Sequence, residues 1–185
     1  MRVIAGTARS MPLKSLDGLE TRPTLDRIKE TVFNILQNDI PGCRFLDLFS
    51  GSGAIAIEAL SRHAKEAVLV EQNKKASAVI KENLKFTKFT DNSRVMEMDC
   101  VSAIRRLEGT GVFDVIYIDA PYGQGLEEPV LRALSESDIA DEDTIVVVEE
   151  DLDENLDFAE NCGFSVTRFK KYKTNQHIFL KKKGN

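Results

Sequence analysis

Hydrophobic positions along this chain follow two patterns: short apolar runs, and segments in which apolar residues recur three and four positions apart. Runs of Val, Ile, Leu and Phe are typical of strands buried on both faces of a sheet. They predict strands at residues 44–49, 67–71, 94–98, 113–118, 144–149, 165–171 and 176–181. The helical spacing predicts helices at residues 24–37, 53–62, 74–86, 101–107, 126–135 and 154–161.

The order of these elements predicts a single α/β domain over residues 1–185. Strands separated by helices form right-handed βαβ units, so we expect a Rossmann-like, mostly parallel seven-stranded sheet with helices on both faces. The last two strands are joined by about four residues, too few for a parallel crossover, so one strand should be antiparallel. Residues 1–20 differ: segments 2–5 and 11–16 predict a small hairpin beside the sheet, followed by a turn at Asp17-Gly18.

The composition, with 42% hydrophobic and 30% charged residues in a chain of 185, is that of one globular domain. Apolar runs such as residues 144–148 are too short to cross a bilayer, and the first residues lack the apolar core of a signal peptide. We therefore expect a cytoplasmic protein without membrane contact. Cys43, Cys100 and Cys162 form no CxxC pair, which indicates buried thiols rather than disulfides or a zinc site.

The net charge of −5 hides a segregation of charge along the chain. Residues 126–160 carry fourteen acids and one base, whereas residues 161–185 carry seven bases and no acid. The first thirty residues add six bases against four acids. A basic surface for nucleic acid at the two chain ends is one interpretation. A solvated lysine-rich tail is the alternative for residues 181–183.

A glycine-rich turn follows the first strand in FLDLFSGSGAIAIEAL, residues 45–60. Gly51, Gly53 and Ala56 match GxGxxA, and Glu71 lies twenty residues after Gly51, as in a dinucleotide site whose acid binds ribose hydroxyls. A nicotinamide-binding oxidoreductase is therefore one hypothesis. Asp47 argues against it, because an acid before the glycines repels a pyrophosphate and suits an amino group or a positive charge. A simple capping role for Asp47 is the other interpretation.

The stretch FDVIYIDAPYGQG, residues 113–125, ends a buried strand with Asp119. Open α/β sheets bind ligands at the carboxyl ends of their strands, so Asp119 is a candidate site residue. The plainer interpretation is a strand-terminating turn, since Asp and Pro are common in turns. His63 and His177 are interpreted as structural.

Three of these motifs resemble a known class of enzymes. DLFSGSGAIAIEAL, VEQN at residues 70–73 and DAPY at residues 119–122 look like the first, second and fourth motifs of class I S-adenosylmethionine-dependent methyltransferases. RPTLDRIKETVFNIL, at residues 22–36, narrows the resemblance to the RsmD family, which methylates the exocyclic N2 of a guanine in small-subunit ribosomal RNA. The resemblance covers nearly the whole chain.

The resemblance implies roles for matching residues. Asp47, Gly51 and Gly53 would line the methionine part of the cofactor, Glu71 would accept from the ribose hydroxyls, and Asp99 would accept from the adenine amino group. The implied S-adenosyl-L-methionine site comprises Thr24, Asp47, Phe49, Gly51, Gly53, Glu71, Gln72, Asp99 and Cys100. The implied contacts to substrate RNA are Arg9, Arg22, Arg27 and Tyr122. No metal is required.

The DAPY segment would carry the catalysis. The Asp119 carboxylate and the Ala120 carbonyl would accept from the hydrogens of the target amine, Pro121 would hold both acceptors in place, and Tyr122 would stack on the base. The family usually has DPPY or DPPF, so Ala120 stands where the first proline is expected.

The implied partner is ribosomal RNA, in a partly assembled small subunit, bound by a monomer. Three alternatives remain open. They are a methyltransferase for another planar amine (adenine, cytosine or a glutamine side chain), the nicotinamide-binding oxidoreductase, and a catalytically silent RNA-binding chaperone.

Overall fold

A computed structural model describes residues 1–16, 23–154 and 156–184, with the side chains of residues 23–25 excepted. The strands are β1 (Arg44–Asp47), β2 (Glu66–Val70), β3 (Ser93–Met96), β4 (Val115–Ile118), β5 (Ile145–Asp151), β6 (Phe164–Lys171) and β7 (Asn175–Lys182). The helices are α1 (Pro23–Ile35), α2 (Ala54–Ser61), α3 (Lys74–Thr87), α4 (Cys100–Leu107) and α5 (Glu127–Glu136). The seven predicted strands and the first five predicted helices are confirmed, with ends shifted by at most a few residues.

The strands form one sheet in the order β3-β2-β1-β4-β5-β7-β6. The first five strands in this order are parallel, and β7 runs antiparallel to both β5 and β6. The prediction of a mostly parallel sheet with one antiparallel strand is confirmed. Because β6 runs in the direction of β5, its carboxyl end lies at the same edge of the sheet as those of β1, β4 and β5.

Apolar side chains fill both faces of the sheet. On one face, Leu46 and Ile116 pack with residues of α4 and α5, and on the other, Phe45 and Val115 pack with residues of α1, α2 and α3. This two-sided burial explains why the strands read as continuous apolar runs. The three cysteines are buried and free.

The predicted helix at residues 154–161 is wrong. The structure has a single 3₁₀ turn at Asp157–Ala159. Leu156, Ala159 and Cys162 are buried, and their spacing of three residues matches the three residues per turn of a 3₁₀ helix. The segment therefore has too few positions facing the core to form a longer α-helix.

The first residues dock on α2 through the carboxylate of Glu58, which is fully buried. Its oxygens accept from the backbone amides of Ile4 at 2.8 Å and Ala5 at 3.0 Å. They also pair with Lys29 Nζ at 3.2 Å and Arg62 Nε at 2.8 Å. One carboxylate thus connects the N-terminal segment, α1 and α2.

The predicted N-terminal hairpin takes a reduced form. Arg2 and Pro12 form one antiparallel bridge, supported by a bond from the Val3 amide to the Met11 carbonyl at 3.0 Å. The turn predicted at Asp17-Gly18 lies outside the described residues. The helices in the described ranges are too short or too polar to span a bilayer.

Candidate functional site

A cavity of about 570 Å³ opens at the carboxyl ends of β1, β2 and β4. Its walls come from the loops that follow these strands, from the start of α4 and from the segment leading into α5. Ten of the residues singled out in the sequence line it: Phe49, Gly51, Glu71, Gln72, Asp99, Cys100, Asp119, Ala120, Pro121 and Tyr122. The order of the strands brings these residues together across more than seventy positions of the chain.

The glycine loop forms the floor of this cavity beside β1. Gly51 has φ of 54°, and a Cβ at this position would meet no atom within 4 Å. Gly53 has φ of 79°, and its Cβ would lie 3.1 Å from Leu69 Cδ2. Gly51 therefore leaves room for a ligand, whereas Gly53 allows α2 to approach β2 and lies behind the wall.

The carboxylate of Glu71 is fixed at the cavity wall by two backbone amides. Gly51 N donates to Oε2 at 2.9 Å, and Asn73 N donates to Oε1 at 2.8 Å. A carboxylate offers about four acceptor positions. Two remain for donors of a bound ligand, so this arrangement can bind vicinal hydroxyl groups.

Asp99 and Cys100 form the wall at the start of α4. Asp99 caps the helix by accepting from Ser102 N at 2.9 Å, and this bond lowers the pKa of the carboxyl group. Cys100 Sγ donates to the Leu48 carbonyl, and burial raises the pKa of the thiol to about 12. Asp99 is thus an ionised, exposed acceptor, and Cys100 is a neutral packing group.

The DAPY segment leaves β4 and forms the opposite wall. Ala120 is buried, while Asp119, Pro121 and Tyr122 are exposed. Tyr122 is 43% exposed, and its hydroxyl donates to Glu149 Oε1 at 3.4 Å. An aromatic face is therefore open to a planar ligand beside the carboxylate of Asp119.

A buried polar network lies directly beneath this segment. Glu149, near the end of β5, accepts from the hydroxyl of Tyr117 at 2.7 Å and from the side-chain amide of Asn175 at 2.5 Å. His177 Nε2 lies 2.8 Å from the Tyr117 hydroxyl and 3.2 Å from Glu149 Oε2. The Tyr117 hydroxyl uses its one hydrogen to donate to Glu149, so it cannot also donate to His177. We therefore assign a proton to Nε2 of the fully buried His177, which donates toward Tyr117 and Glu149.

Sequence reasoning missed Glu149. The sequence feature that could have identified Glu149 is an acidic residue within an apolar strand, in VVVEED at residues 146–151. The partners of Glu149 lie 26 to 32 positions away, so only the strand register reveals the network. Within it His177 orients other groups, which agrees with the structural role predicted for it.

The pKa of Asp119 is raised, first by the surrounding protein and then by the carboxylates of Glu149 and Asp47. Many protein atoms surround the side chain, yet water in the cavity reaches it. This water screens the neighbouring carboxylates and so opposes part of the rise in the pKa of Asp119. A raised pKa makes this carboxylate a better proton acceptor than an exposed aspartate.

A second cavity of about 170 Å³ lies on the other side of Asp119. It is lined by Met1, Asp26, Lys29, Tyr117 and Glu149, among others, and it shares Phe49, Gly51 and Asp119 with the larger cavity. Asp119 therefore stands where a ligand in one cavity would meet a ligand in the other.

Asp47 lies beneath the glycine loop, behind the wall of the larger cavity. Neither of its buried carboxylate oxygens has a hydrogen-bond partner among the described residues. Burial raises the pKa of the carboxyl group to about 7, an effect that the nearby Ala56 amide and Ser50 hydroxyl offset only in part. Such an unpaired acid attracts a cationic ligand to the loop above it and repels a pyrophosphate.

The state of Asp47 predicts a pH-dependent stability. Its folded pKa of about 7 exceeds the value of about 3.9 expected in the unfolded chain, so the folded state binds more protons between these values. The free energy of unfolding should therefore fall as pH rises from about 4 to about 7, by at most about 4 kcal/mol from this group. Asp47→Asn should remove that part of the slope, as urea titrations of the ligand-free protein at several pH values can measure.

The difference between wild type and variant is the quantity to compare. Glu150 titrates in the same range, because burial and the neighbouring Glu127 raise its pKa to about 7. Its contribution cancels in the difference. Parallel curves for the two proteins across this range would contradict the buried, unpaired state of Asp47.

Apart from Tyr122, which lines the larger cavity, the residues predicted to contact RNA lie away from the cavity walls or outside the described residues. Arg9 and Arg27 are exposed and line neither cavity. Arg22 is outside the described residues, and Thr24 lies within α1 with its side chain not described. Their roles stay predictions.

The strand order, the glycine loop and a cavity at the carboxyl ends of the parallel strands define a class I S-adenosylmethionine-dependent methyltransferase. The solved structure of yhhF from Escherichia coli, described as a candidate methyltransferase, matches with a TM-score of 0.83 and 28% identity, over 100% of this chain and 99% of that chain. The enzyme class predicted from the motifs is confirmed.

Relatives place the chain more narrowly. The family described as Conserved hypothetical protein 95 matches residues 1–181. YlbH of Bacillus subtilis, described as a candidate rRNA methyltransferase, is 35% identical over 100% of both chains. Ribosomal RNA small subunit methyltransferase D of Haemophilus influenzae is 33% identical over 87% of this chain and 84% of its own. The chain therefore belongs to this family, the RsmD family.

Proposed function

We propose that this protein transfers a methyl group from S-adenosylmethionine to the exocyclic N2 of a guanine in small-subunit ribosomal RNA. The position of Asp119 carries the proposal, because this carboxylate borders both cavities at the carboxyl end of β4. The names of the relatives that act on ribosomal RNA support the substrate class.

The larger cavity suits the cofactor. Glu71 would accept from the ribose hydroxyls with its two free acceptor positions, and Asp99 would accept from the adenine amino group. Gly51 leaves space above the loop, and the ionised form of the buried Asp47 favours the cationic methionine end. Phe49, Gln72 and Cys100 complete the walls. When bound, S-adenosylmethionine supplies an electrophilic methyl group.

The DAPY segment would prepare the nitrogen. The lone pair of guanine N2 is delocalised into the ring, so this nitrogen is a poor nucleophile while it is planar. The Asp119 carboxylate and the Ala120 carbonyl would accept from its two hydrogens and favour a tetrahedral geometry. The carboxylate also stabilises the positive charge that develops on nitrogen, and its raised pKa suits it to take the proton that nitrogen then loses.

Tyr122 would hold the base in this position. Stacking of a base on an aromatic ring contributes about 1 to 3 kcal/mol, which offsets part of the cost of extruding a nucleotide. Ala120 lacks the restriction of the expected proline, yet it is buried and keeps its carbonyl, so the second acceptor survives. Pro121 still biases Ala120 toward extended geometry.

Mass spectrometry of ribosomal RNA nucleosides, from cells with and without this protein, tests the function. We expect one N2-methylguanosine to disappear from small-subunit RNA in the deletion strain and to return with the wild-type gene. Loss of a methylated adenine or cytosine would instead support another planar amine. An unchanged nucleoside profile would overturn the proposal.

Three finer statements belong to the same proposal. The substrate is a partly assembled small subunit, the enzyme acts as a monomer, and it acts in the cytoplasm where its substrate forms. Methylation of free RNA and of isolated subunits, compared at equal concentration, separates the two substrates.

Glu71→Ala should weaken binding of S-adenosylmethionine about tenfold to a hundredfold, because charge-assisted hydrogen bonds contribute about 1.5 to 3 kcal/mol. Glu71→Gln keeps one acceptor oxygen and should fall between wild type and Glu71→Ala. Isothermal titration calorimetry measures the affinity. Glu97→Ala removes an exposed acid outside both cavities and is the matched control. Equal affinities for Glu71→Ala and Glu97→Ala would remove Glu71 from the site.

A further inference from the structure

The excess of basic residues at the end of the chain divides into two groups in the structure. Lys181 and Lys182 donate to backbone carbonyls of Asp143, Ser137 and Ala140, and Lys183 lies 3.8 Å from the Glu160 carboxylate. These three lysines are therefore engaged in holding loops to β7.

The other four cations, Arg168, Lys170, Lys171 and Lys173, lie on β6 and directly after it. None of the four has a carboxylate partner in the described part of the chain. Three are exposed and Lys170 is half-buried. Four unpaired cations within six residues form a local positive surface on a chain whose net charge is −5.

Aromatic rings alternate with these cations. Phe169 is 55% exposed, although phenylalanine is a residue type that is usually buried. Lys170 Nζ lies 6.0 Å from the centre of the Tyr172 ring, on the opposite face of the strand from Phe169. In single-strand nucleic-acid surfaces, cations bind phosphates and an exposed ring such as that of Phe169 stacks on an unpaired base.

This surface leads to the candidate active site. β6 is the outermost strand of the sheet on its side. Its carboxyl end lies on the same side of the sheet as the carboxyl end of β4, where Asp119 is found. The Tyr172 hydroxyl lies 2.9 Å from His177 Nδ1, and His177 contacts Glu149, which binds Tyr122. A continuous hydrogen-bonded chain therefore connects the basic strand to the ring proposed to stack on the target base.

We propose that the basic edge of β6, residues 168–173, binds the phosphate backbone of the RNA next to the target nucleotide, an inference that rests on the function proposed above. The cations contact phosphates, and Phe169 stacks on a neighbouring unpaired base.

A variant with Arg168, Lys170, Lys171 and Lys173 all changed to Gln tests this surface. Each lost phosphate contact makes the dependence of log affinity on log salt shallower by about 0.7 for single strands, so the slope should decrease by about 3. A fourfold rise in salt should then cost the wild type roughly 50-fold more affinity than the variant. The probe is small-subunit ribosomal RNA from cells lacking the protein, with binding measured by fluorescence anisotropy across a salt series. Phe169→Ala should weaken binding at every salt concentration and leave the slope unchanged.

The control carries the same charge change at the opposite edge of the sheet, with Lys65, Lys85, Lys88 and Arg94 changed to Gln. Its slope should equal that of the wild type. Binding of S-adenosylmethionine with wild-type affinity by both variants shows that the fold is intact.

The outcomes separate this inference from the proposed function. If the wild type methylates RNA and the β6 variant binds RNA with an unchanged slope, the inference is overturned and the function stands. If the slope decreases but no protein methylates RNA, the surface stands and the function fails. Lysines also protect edge strands from pairing with other chains. A variant that self-associates while its RNA affinity is unchanged would assign that role instead and overturn the inference.

Discussion

Asp119→Asn should reduce single-turnover methyl transfer about 10³-fold while S-adenosylmethionine binds nearly as well as before. The amide keeps the shape of the side chain but has no negative charge to stabilise the charge developing on nitrogen, and one lost stabilising contact of this kind costs about 10² to 10³ in rate. It also cannot take the proton. Rapid-quench measurement with saturating RNA and cofactor isolates the chemical step from binding.

Asp91→Asn, at an exposed turn before β3, is the control and should transfer methyl groups at the wild-type rate. A loss of cofactor affinity without a loss of rate in Asp119→Asn would contradict the role given to Asp119. A pH–rate profile adds a second readout. In the wild type, the rate should rise with pH through the raised pKa of Asp119, and in the variant this rise should be absent.

Glu58→Ala should lower the free energy of unfolding by about 3 to 5 kcal/mol, because it leaves a buried cation without its partner. The side chains of Glu58 and Lys29 are 0% and 5% exposed, and two backbone amides of the N-terminal segment lose their acceptor as well. Burial already lowers the pKa of Lys29, and Glu58 opposes this effect. Urea unfolding followed by circular dichroism measures the change.

Two further variants identify the cause. Glu82→Ala breaks the ion pair between Glu82 and Lys14, whose two side chains are 58% and 71% exposed respectively. This change should lower the free energy of unfolding by at most about 1 kcal/mol. Lys29→Met in the Glu58→Ala background removes the stranded cation and should recover part of the loss. Equal costs for Glu58→Ala and Glu82→Ala would show that the buried pair contributes no more than a surface pair.

A strand could be predicted from the sequence where its own residues show that both of its faces are buried. Val115 to Ile118 are buried on both faces, so their apolar run identified β4 without knowledge of its neighbours. The helix predicted at residues 154–161 was wrong, because the buried Leu156, Ala159 and Cys162 recur at a spacing of three, which a 3₁₀ turn satisfies as well as one face of an α-helix does. Whether such a segment forms a 3₁₀ turn or an α-helix depends on how many of its side chains can pack against the sheet, which the sequence of the segment does not show.

The candidate site was predictable where its residues follow strand ends. Glu71 and Asp119 each come directly after an apolar strand, Gly51 lies in the loop that follows β1, and parallel strands bring such positions together. Glu149 was not predictable, because its partners Tyr117 and His177 meet it only through the register of three strands. The division of the basic residues into loop-holding lysines and unpaired β6 cations needed the structure for the same reason.

The insertion of β7 between β5 and β6 makes the order of synthesis matter. When β6 has left the ribosome, β5 still has an open edge, and β6 has no neighbour with which to pair until β7 is made. The arrival of β7 supplies Asn175 and His177 to Glu149 and attaches the basic edge strand in the same step. A nascent chain therefore gains the edge strand proposed to bind RNA and the buried support beneath Tyr122 in one step of folding.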